Sequence, residues 1–311
     1  MALGEILLVK KELQQTGTVL SKAVSIMQGS QESNQHDLVE ALWALASVPM
    51  LQKDWSTGES LLVQCIPILQ RTRNRNNSTY VLVLVNLTVA YYRQNKLDKA
   101  ECAGIEGIQV IQLFKDSAEE LPIFYYFLAR TYREQGRLLE AEVVNAAAIA
   151  QLKLQRAGDR SLLPKTLQIM WQISIALEKY SDAEKHLLEA VELLQKSPRS
   201  SQAILGDAYK SLALIYIRQE RLSEFVVVLP LAIEIWIQFL GEQNKNIAEL
   251  YCILARAYTL LSRLREAEDM YVRAIDIARA LQGQSLLLAE IELGLRKVMD
   301  YREDFSDQST A

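Results

Sequence analysis

The chain of 311 residues is short of the groups on which much protein chemistry depends: three cysteines, two histidines and no excess of cationic side chains. Cys65, Cys102 and Cys252 are odd in number and fall within helical patterns, so they read as packed thiols rather than a disulfide framework or a metal set. Glu184 and Glu189 flank His186, but a di-iron centre needs Glu-x-x-His pairs from two helices, and His36 stands alone. With 34 Lys and Arg against 38 Asp and Glu, the formal charge is −4. That balance lacks the basic footprint that nucleic acid or an anionic membrane requires.

Other absences narrow the class further. No Gly-rich phosphate loop, His-Glu-x-x-His or Gly-x-Ser-x-Gly element occurs. No catalytic residue, metal or cofactor is expected, and the chain does not read as an enzyme. No stretch approaches the roughly 20 apolar residues of a spanning helix. Glu5, Lys10, Lys11 and Glu12 interrupt the start of the chain where a signal peptide would be basic and then uniformly apolar. The expected compartment is cytoplasmic.

What is abundant is repetition. A small residue followed by a β-branched one recurs at Ala23-Val24, Cys65-Ile66, Gly107-Ile108, Ala148-Ile149, Ala190-Val191, Ala232-Ile233 and Ala274-Ile275. The intervals are 42, 42, 41, 42, 42 and 42 residues. A period of that order marks a solenoid, in which one supersecondary unit stacks on the next. Upstream of these pairs, Leu87 to Glu101 aligns with Leu128 to Glu142 and with Leu254 to Glu268. Each copy holds an apolar helix, a short polar break near the position of Gly136, and the start of a second apolar helix, which predicts antiparallel helix pairs.

Small residues stand where the two helices of a pair would cross: Ala46, Thr88, Ala129, Ala213 and Ala255 on the first, Gly58, Ala100, Ala141, Ala183 and Ala267 on the second. Glu101, Glu142, Glu184 and Glu268 recur at one place and read as solvated helix starts favoured by the dipole. Gly29, Gly241, Gly283, Ser197-Pro198 and the basic stretch from Gln70 to Asn77 read as breaks, and Pro122 and Pro164 as first-turn prolines. Trp171 and Phe225 replace small crossing residues, and Pro230 falls inside a helix, which predicts wider or bent packing there. The expected organisation is a degenerate pair of capping helices over 1–36, six repeats over 37–282, a capping helix over 283–301 and a disordered tail over 302–311.

These landmarks resemble the tetratricopeptide repeat. The segment from Leu240-Gly241-Glu242-Gln243 to Ala274-Ile275 is similar to the longer subclass found in kinesin light chains. Asn86 keeps the asparagine usual in that subclass; Phe127, Ile169, Ser211 and Ile253 stand at the equivalent places. The resemblance implies an all-α, right-handed superhelical solenoid of antiparallel helix pairs. It also implies a concave groove lined by the first helix of each pair, where a peptide would lie.

In register, the residues facing that groove include Trp43 in the first pair; Asn86, Val89, Tyr92 and Arg93 in the second; and Tyr126, Arg130 and Arg133 in the third. Gln172, then Lys210, Leu214 and Arg218, then Arg256 follow in the remaining pairs. Arginines among aromatic and aliphatic residues suit a partner segment that carries apolar and acidic side chains, since guanidinium binds carboxylate and aromatics anchor apolar groups. The opposing reading pairs these arginines with neighbouring acids, such as Arg133 with the surroundings of Glu134. The chaperone-type carboxylate clamp is not reproduced. The function expected is a non-enzymatic adaptor that binds another protein, with no nucleic acid or membrane partner. The alternatives are a structural subunit using convex or edge surfaces and a peptide-sensing regulator. The sequence leaves the oligomeric state open.

Overall fold

The structure is a computed structural model and describes residues 2–29, 35–71, 77–114, 118–154, 162–196, 202–281 and 285–308. Their regular secondary structure is entirely helical. A first helix, α1 (Ala2–Gly29), precedes six pairs: α2 (Gln35–Leu51) with α3 (Trp55–Arg71), α4 (Asn77–Arg93) with α5 (Leu97–Phe114), α6 (Leu121–Glu134) with α7 (Leu138–Leu154), α8 (Leu162–Ala176) with α9 (Tyr180–Gln195), α10 (Gln202–Arg218) with α11 (Leu222–Leu240) and α12 (Lys245–Leu260) with α13 (Leu264–Ala280). A final helix, α14 (Ser285–Gln308), packs on α13. The fold class is an all-α solenoid of antiparallel helix pairs. Contacts divide it into two compact units, Met1–Ile169 and Met170–Ala311.

The period has a direct physical basis. The small crossing residues from Ala46 to Ala267 are buried, as are the small members of six of the seven recurring dipeptides. Gly107 shows the constraint at its tightest: a Cβ there would lie 2.2 Å from Cζ of the buried Phe124.

Each pair turns by the same hydrogen-bonded device. Lys53, Asn95, Gly136, Glu178, Glu220 and Ser262 have positive φ between 58° and 77°. In each hairpin the following residue donates its N–H to a carbonyl five residues back: Asp54 to Pro49, Lys96 to Tyr91, Arg137 to Tyr132, Lys179 to Ser174, Arg221 to Tyr216 and Arg263 to Tyr258, at 2.8 to 2.9 Å. This is the Schellman arrangement, which satisfies the carbonyls left open at a helix end. Only Gly136 is a glycine, so five hairpins hold an L side chain in the left-handed region.

Successive pairs are tied by ion pairs. In the first unit Lys96 reaches back to Glu59 at 2.5 Å and Arg137 to Glu101 at 2.8 Å; in the second, Arg221 reaches Glu184 at 2.7 Å. Glu101 and Glu184 are therefore not the solvated helix starts expected from their recurrence. Each lies on the second helix of one pair and accepts from the turn of the next, and each also accepts a hydrogen bond from a tyrosine, Tyr132 or Tyr216.

The ends and irregularities differ from expectation in several places. α1 is one unbroken helix rather than a pair: its apolar spacing meets no proline, and Gly17 is a packing position, where a Cβ would lie 3.4 Å from Val48. Gly29 closes α1 without a positive φ. α14 continues through Gln308 into the segment expected to be disordered, and Arg302 bonds Glu268 of α13 at 2.5 Å. Gly283, the Ser197-Pro198 break and most of the basic stretch, residues 72–76, lie outside the described residues. Trp171 and Phe225 are fully enclosed, and α11 runs through Pro230 without interruption. Pro122 occupies the first turn of α6, where a missing N–H leaves no bond unmade.

By length and composition α11 could span a bilayer, closer to that limit than the sequence reading allowed. In this fold it forms a hairpin with α10 and buries Phe225, Val226, Leu229, Ala232 and Ile233.

Candidate functional site

In the first unit the candidate residues lie on α2, α4 and α6, the first helices of their pairs. Asn86, Val89 and Tyr92 form a half-buried row along α4, spaced by one helical turn. On α6, Tyr126 is buried while Arg130 and Arg133, further along the same helix, are half-buried. Trp43 of α2 is half-buried, and its indole N–H is enclosed without a hydrogen-bond acceptor.

The centre of this face is Arg130. Its guanidinium stands 4.5 Å from the ring centre of Tyr92 and 5.5 Å from that of Tyr126, and donates to the Tyr126 hydroxyl at 3.2 Å. Phe127 braces both tyrosines edge-on, at 5.7 Å from Tyr92 and 5.1 Å from Tyr126. Two aromatic faces thus hold one cation in a fixed orientation, a contact of about 0.5 to 1 kcal/mol at exposed sites and more where water is excluded. No carboxylate among the described residues forms an ion pair with Arg130. A guanidinium positioned by aromatics and lacking an internal acid retains its capacity for a bidentate bond to an external carboxylate. Further back along α4, the Asn86 amide makes no hydrogen bond within the described residues.

The other arginines of this unit are differently engaged. Arg133 pairs with Glu134 at 2.9 Å, as the opposing sequence reading anticipated. Arg93 is exposed and approaches the ring of Trp55 at 5.7 Å, toward the start of α3 rather than toward Arg130.

In the second unit Gln172, Lys210, Leu214, Arg218 and Arg256 are all exposed. Lys210 borders a cleft of about 360 Å³ with Trp236, Glu249 and Ile253. Arg256 borders a cavity of about 390 Å³ between α12, α13 and α14. Tyr271 on α13 and Lys297 on α14 also line that cavity, and neither belongs to the first-helix register. They could not be found by extending the groove pattern, because one comes from a second helix and the other from the terminal helix. Among the described residues no group of three or more His, Cys, Asp or Glu side chains could hold a metal ion.

A model of the tetratricopeptide repeat matches residues 248–281, spanning most of α12 and all of α13. No curated protein matches the chain. Similar solved structures include a signal-transduction ATPase with a tetratricopeptide repeat sensor from Pyrococcus horikoshii, with a TM-score of 0.64, 14% identity, and coverage of 92% of this chain and 42% of that one. The apo form of RapI has a TM-score of 0.59 at 12% identity, covering 86% of this chain and 99% of the other. The apo form of the quorum sensor NprR from B. thuringiensis has a TM-score of 0.58 at 18% identity, covering 95% and 84%. These likenesses show the fold.

Proposed function

We propose that the chain is a protein-interaction module of the cytoplasm that binds a peptide segment of another protein on the face formed by α2, α4 and α6. The repeat length of 42 residues supports the kinesin-light-chain-like form of the tetratricopeptide repeat. The observation that carries the binding reading is Arg130, held between Tyr92 and Tyr126 without an acid of its own. Its partner carries Asp or Glu to meet the guanidinium, next to Leu, Phe or Trp to cover Val89 and the exposed parts of the tyrosines. Asn86 offers both a donor and an acceptor to the partner backbone. A preformed face lowers the ordering penalty that falls on the complex, and the partner supplies the adaptable segment.

The descriptions of two chains of similar fold, one a quorum sensor and one bearing a repeat sensor, favour a sensory role as a second reading. Both readings need the same peptide contact. The test is selection of displayed random peptides on the purified chain, followed by affinity measurement with Arg130→Gln. Enrichment of acidic residues beside large apolar ones is expected, with affinity falling about tenfold or more on loss of the charge-assisted bonds. Selected peptides without acids, or an unchanged affinity for the variant, would sink the reading.

A further inference from the structure

The cavity between α12, α13 and α14 contains a hydroxyl that the fold does not use. Tyr271 is 4% exposed, its ring lies against α14, and its hydroxyl makes no hydrogen bond among the described residues. The equivalent positions hold Leu62, Leu187 and Leu229 in three of the other pairs, with Gly104 and Asn145 in the remaining two. In three of those pairs an aliphatic side chain meets the packing, whereas the phenol of Tyr271 adds a polar group at the wall of the cavity.

The seating of that phenol depends on a second residue. Gly294 of α14 faces Tyr271, and a Cβ there would come within 2.8 Å of the phenol oxygen. Absence of that one carbon lets the phenol pack directly against α14. Arg256 and Lys297 stand at the same cavity, and neither forms an ion pair among the described residues. Leu260 and Leu293, both largely exposed, supply an apolar wall. Glu290 is the one acid lining the cavity, so the two cations outnumber it. Burial, with the nearby Cys252 and Glu290 adding to it, pushes the Tyr271 phenol up to about 12, so it remains a donor at neutral pH.

We infer that this cavity binds a small organic acid, with the carboxylate taken by Arg256, Lys297 and the Tyr271 hydroxyl and the apolar body lying on Leu260 and Leu293. The volume of about 390 Å³ falls within the range of small-molecule pockets. The site lies wholly in the second unit and is independent of the peptide reading centred on Arg130.

The test uses the full chain with octanoate and 2-naphthoate, an aliphatic and an aromatic acid, measured by titration calorimetry, with 1-octanol as the uncharged control. Saturable one-to-one binding of at least one acid is expected. Tyr271→Phe, which removes only the hydroxyl, should weaken that acid about tenfold or more while leaving the urea midpoint unchanged or higher. Arg256→Gln at the exposed rim should weaken it similarly. Failure of both acids to bind at one-to-one stoichiometry would overturn the proposal. So would equal binding by 1-octanol, or undiminished affinity in both variants.

Discussion

Arg137 donates its backbone N–H to the carbonyl of Tyr132 at 2.8 Å and lays its guanidinium 4.2 Å from the centre of that tyrosine's own ring. The backbone bond that ends the first helix therefore also aims the side chain. From over the ring, Arg137 reaches Glu101 of the preceding pair at 2.8 Å and Glu140 of its own second helix at 2.6 Å. Tyr216 with Arg221 repeats the arrangement at 4.4 Å, and Tyr258 with Arg263 at 4.7 Å. Turn geometry, aromatic stacking and coupling between neighbouring pairs are one device.

The arms of this device contribute unequally. Glu101 is mostly enclosed and accepts from Arg137, so Glu101→Gln should lower stability by about 1 kcal/mol through loss of charge-assisted bonds. Among the described residues Arg263 forms an ion pair only with Glu266, within its own pair. Arg137→Ala should therefore shift the urea midpoint further than Arg263→Ala. Equal shifts would mean that the bond between pairs adds nothing.

The hairpins differ in how comfortably they hold their left-handed residue. Gly136, at φ 77°, meets no steric penalty, whereas Glu220 adopts φ 60° with a full side chain. Gly136→Ala should destabilise by about 1 kcal/mol, and Glu220→Gly should stabilise by about 0.5 kcal/mol, because relief of the αL penalty exceeds glycine's larger unfolded-state entropy. Chemical denaturation of both variants checks the opposite signs. Two changes of the same sign would contradict the geometry.

Acid should weaken the fold in a defined direction. Burial pushes the Glu59 carboxyl up, but hydrogen bonds from Lys96 and Gln94 outweigh it and hold the group below its ordinary value of 4.5. Hydrogen bonds from Arg137, joined by the opposite charge, lower Glu140. A carboxyl with a depressed folded value contributes stability that is present above its unfolded value and is lost as pH falls through the folded one. Glu120 and Asp207, raised chiefly by burial, act in the opposite sense. Thermal scans from pH 6 down to pH 3 should show a falling Tm below about 4.5, and Glu59→Gln should flatten that fall. An unchanged acid slope in the variant would show that Glu59 is not among the responsible groups.

The repeat is legible in residue types because helix crossings select for size. Ala46, Ala129 and Ala255 are small for the same steric reason, and that reason is written in their identity. The hairpin turns are less legible: Lys53, Asn95, Glu178, Glu220 and Ser262 are held at positive φ by backbone bonds, which no single residue type marks. Glu101 and Glu184 recur visibly, but their partners come 36 and 37 residues later, so only packing reveals them. On the candidate face, register placed Tyr92, Tyr126 and Arg130 on first helices. The clamp around Arg130 could not be read from it, because it requires α4 and α6 to stand side by side. Tyr271 falls outside the groove register because it stands on the second helix of its pair.

The acid that ties neighbouring pairs is absent from one helix. Val226 of α11 holds the place occupied by Glu101 and Glu184, and it is buried. Among the described residues Arg263 consequently pairs with no carboxylate of the preceding pair. In a linear array, stability is the sum of each pair's own folding term and its coupling to neighbours. A missing coupling term lowers cooperativity at the joint between α11 and α12, which is left to the packing of those two helices alone.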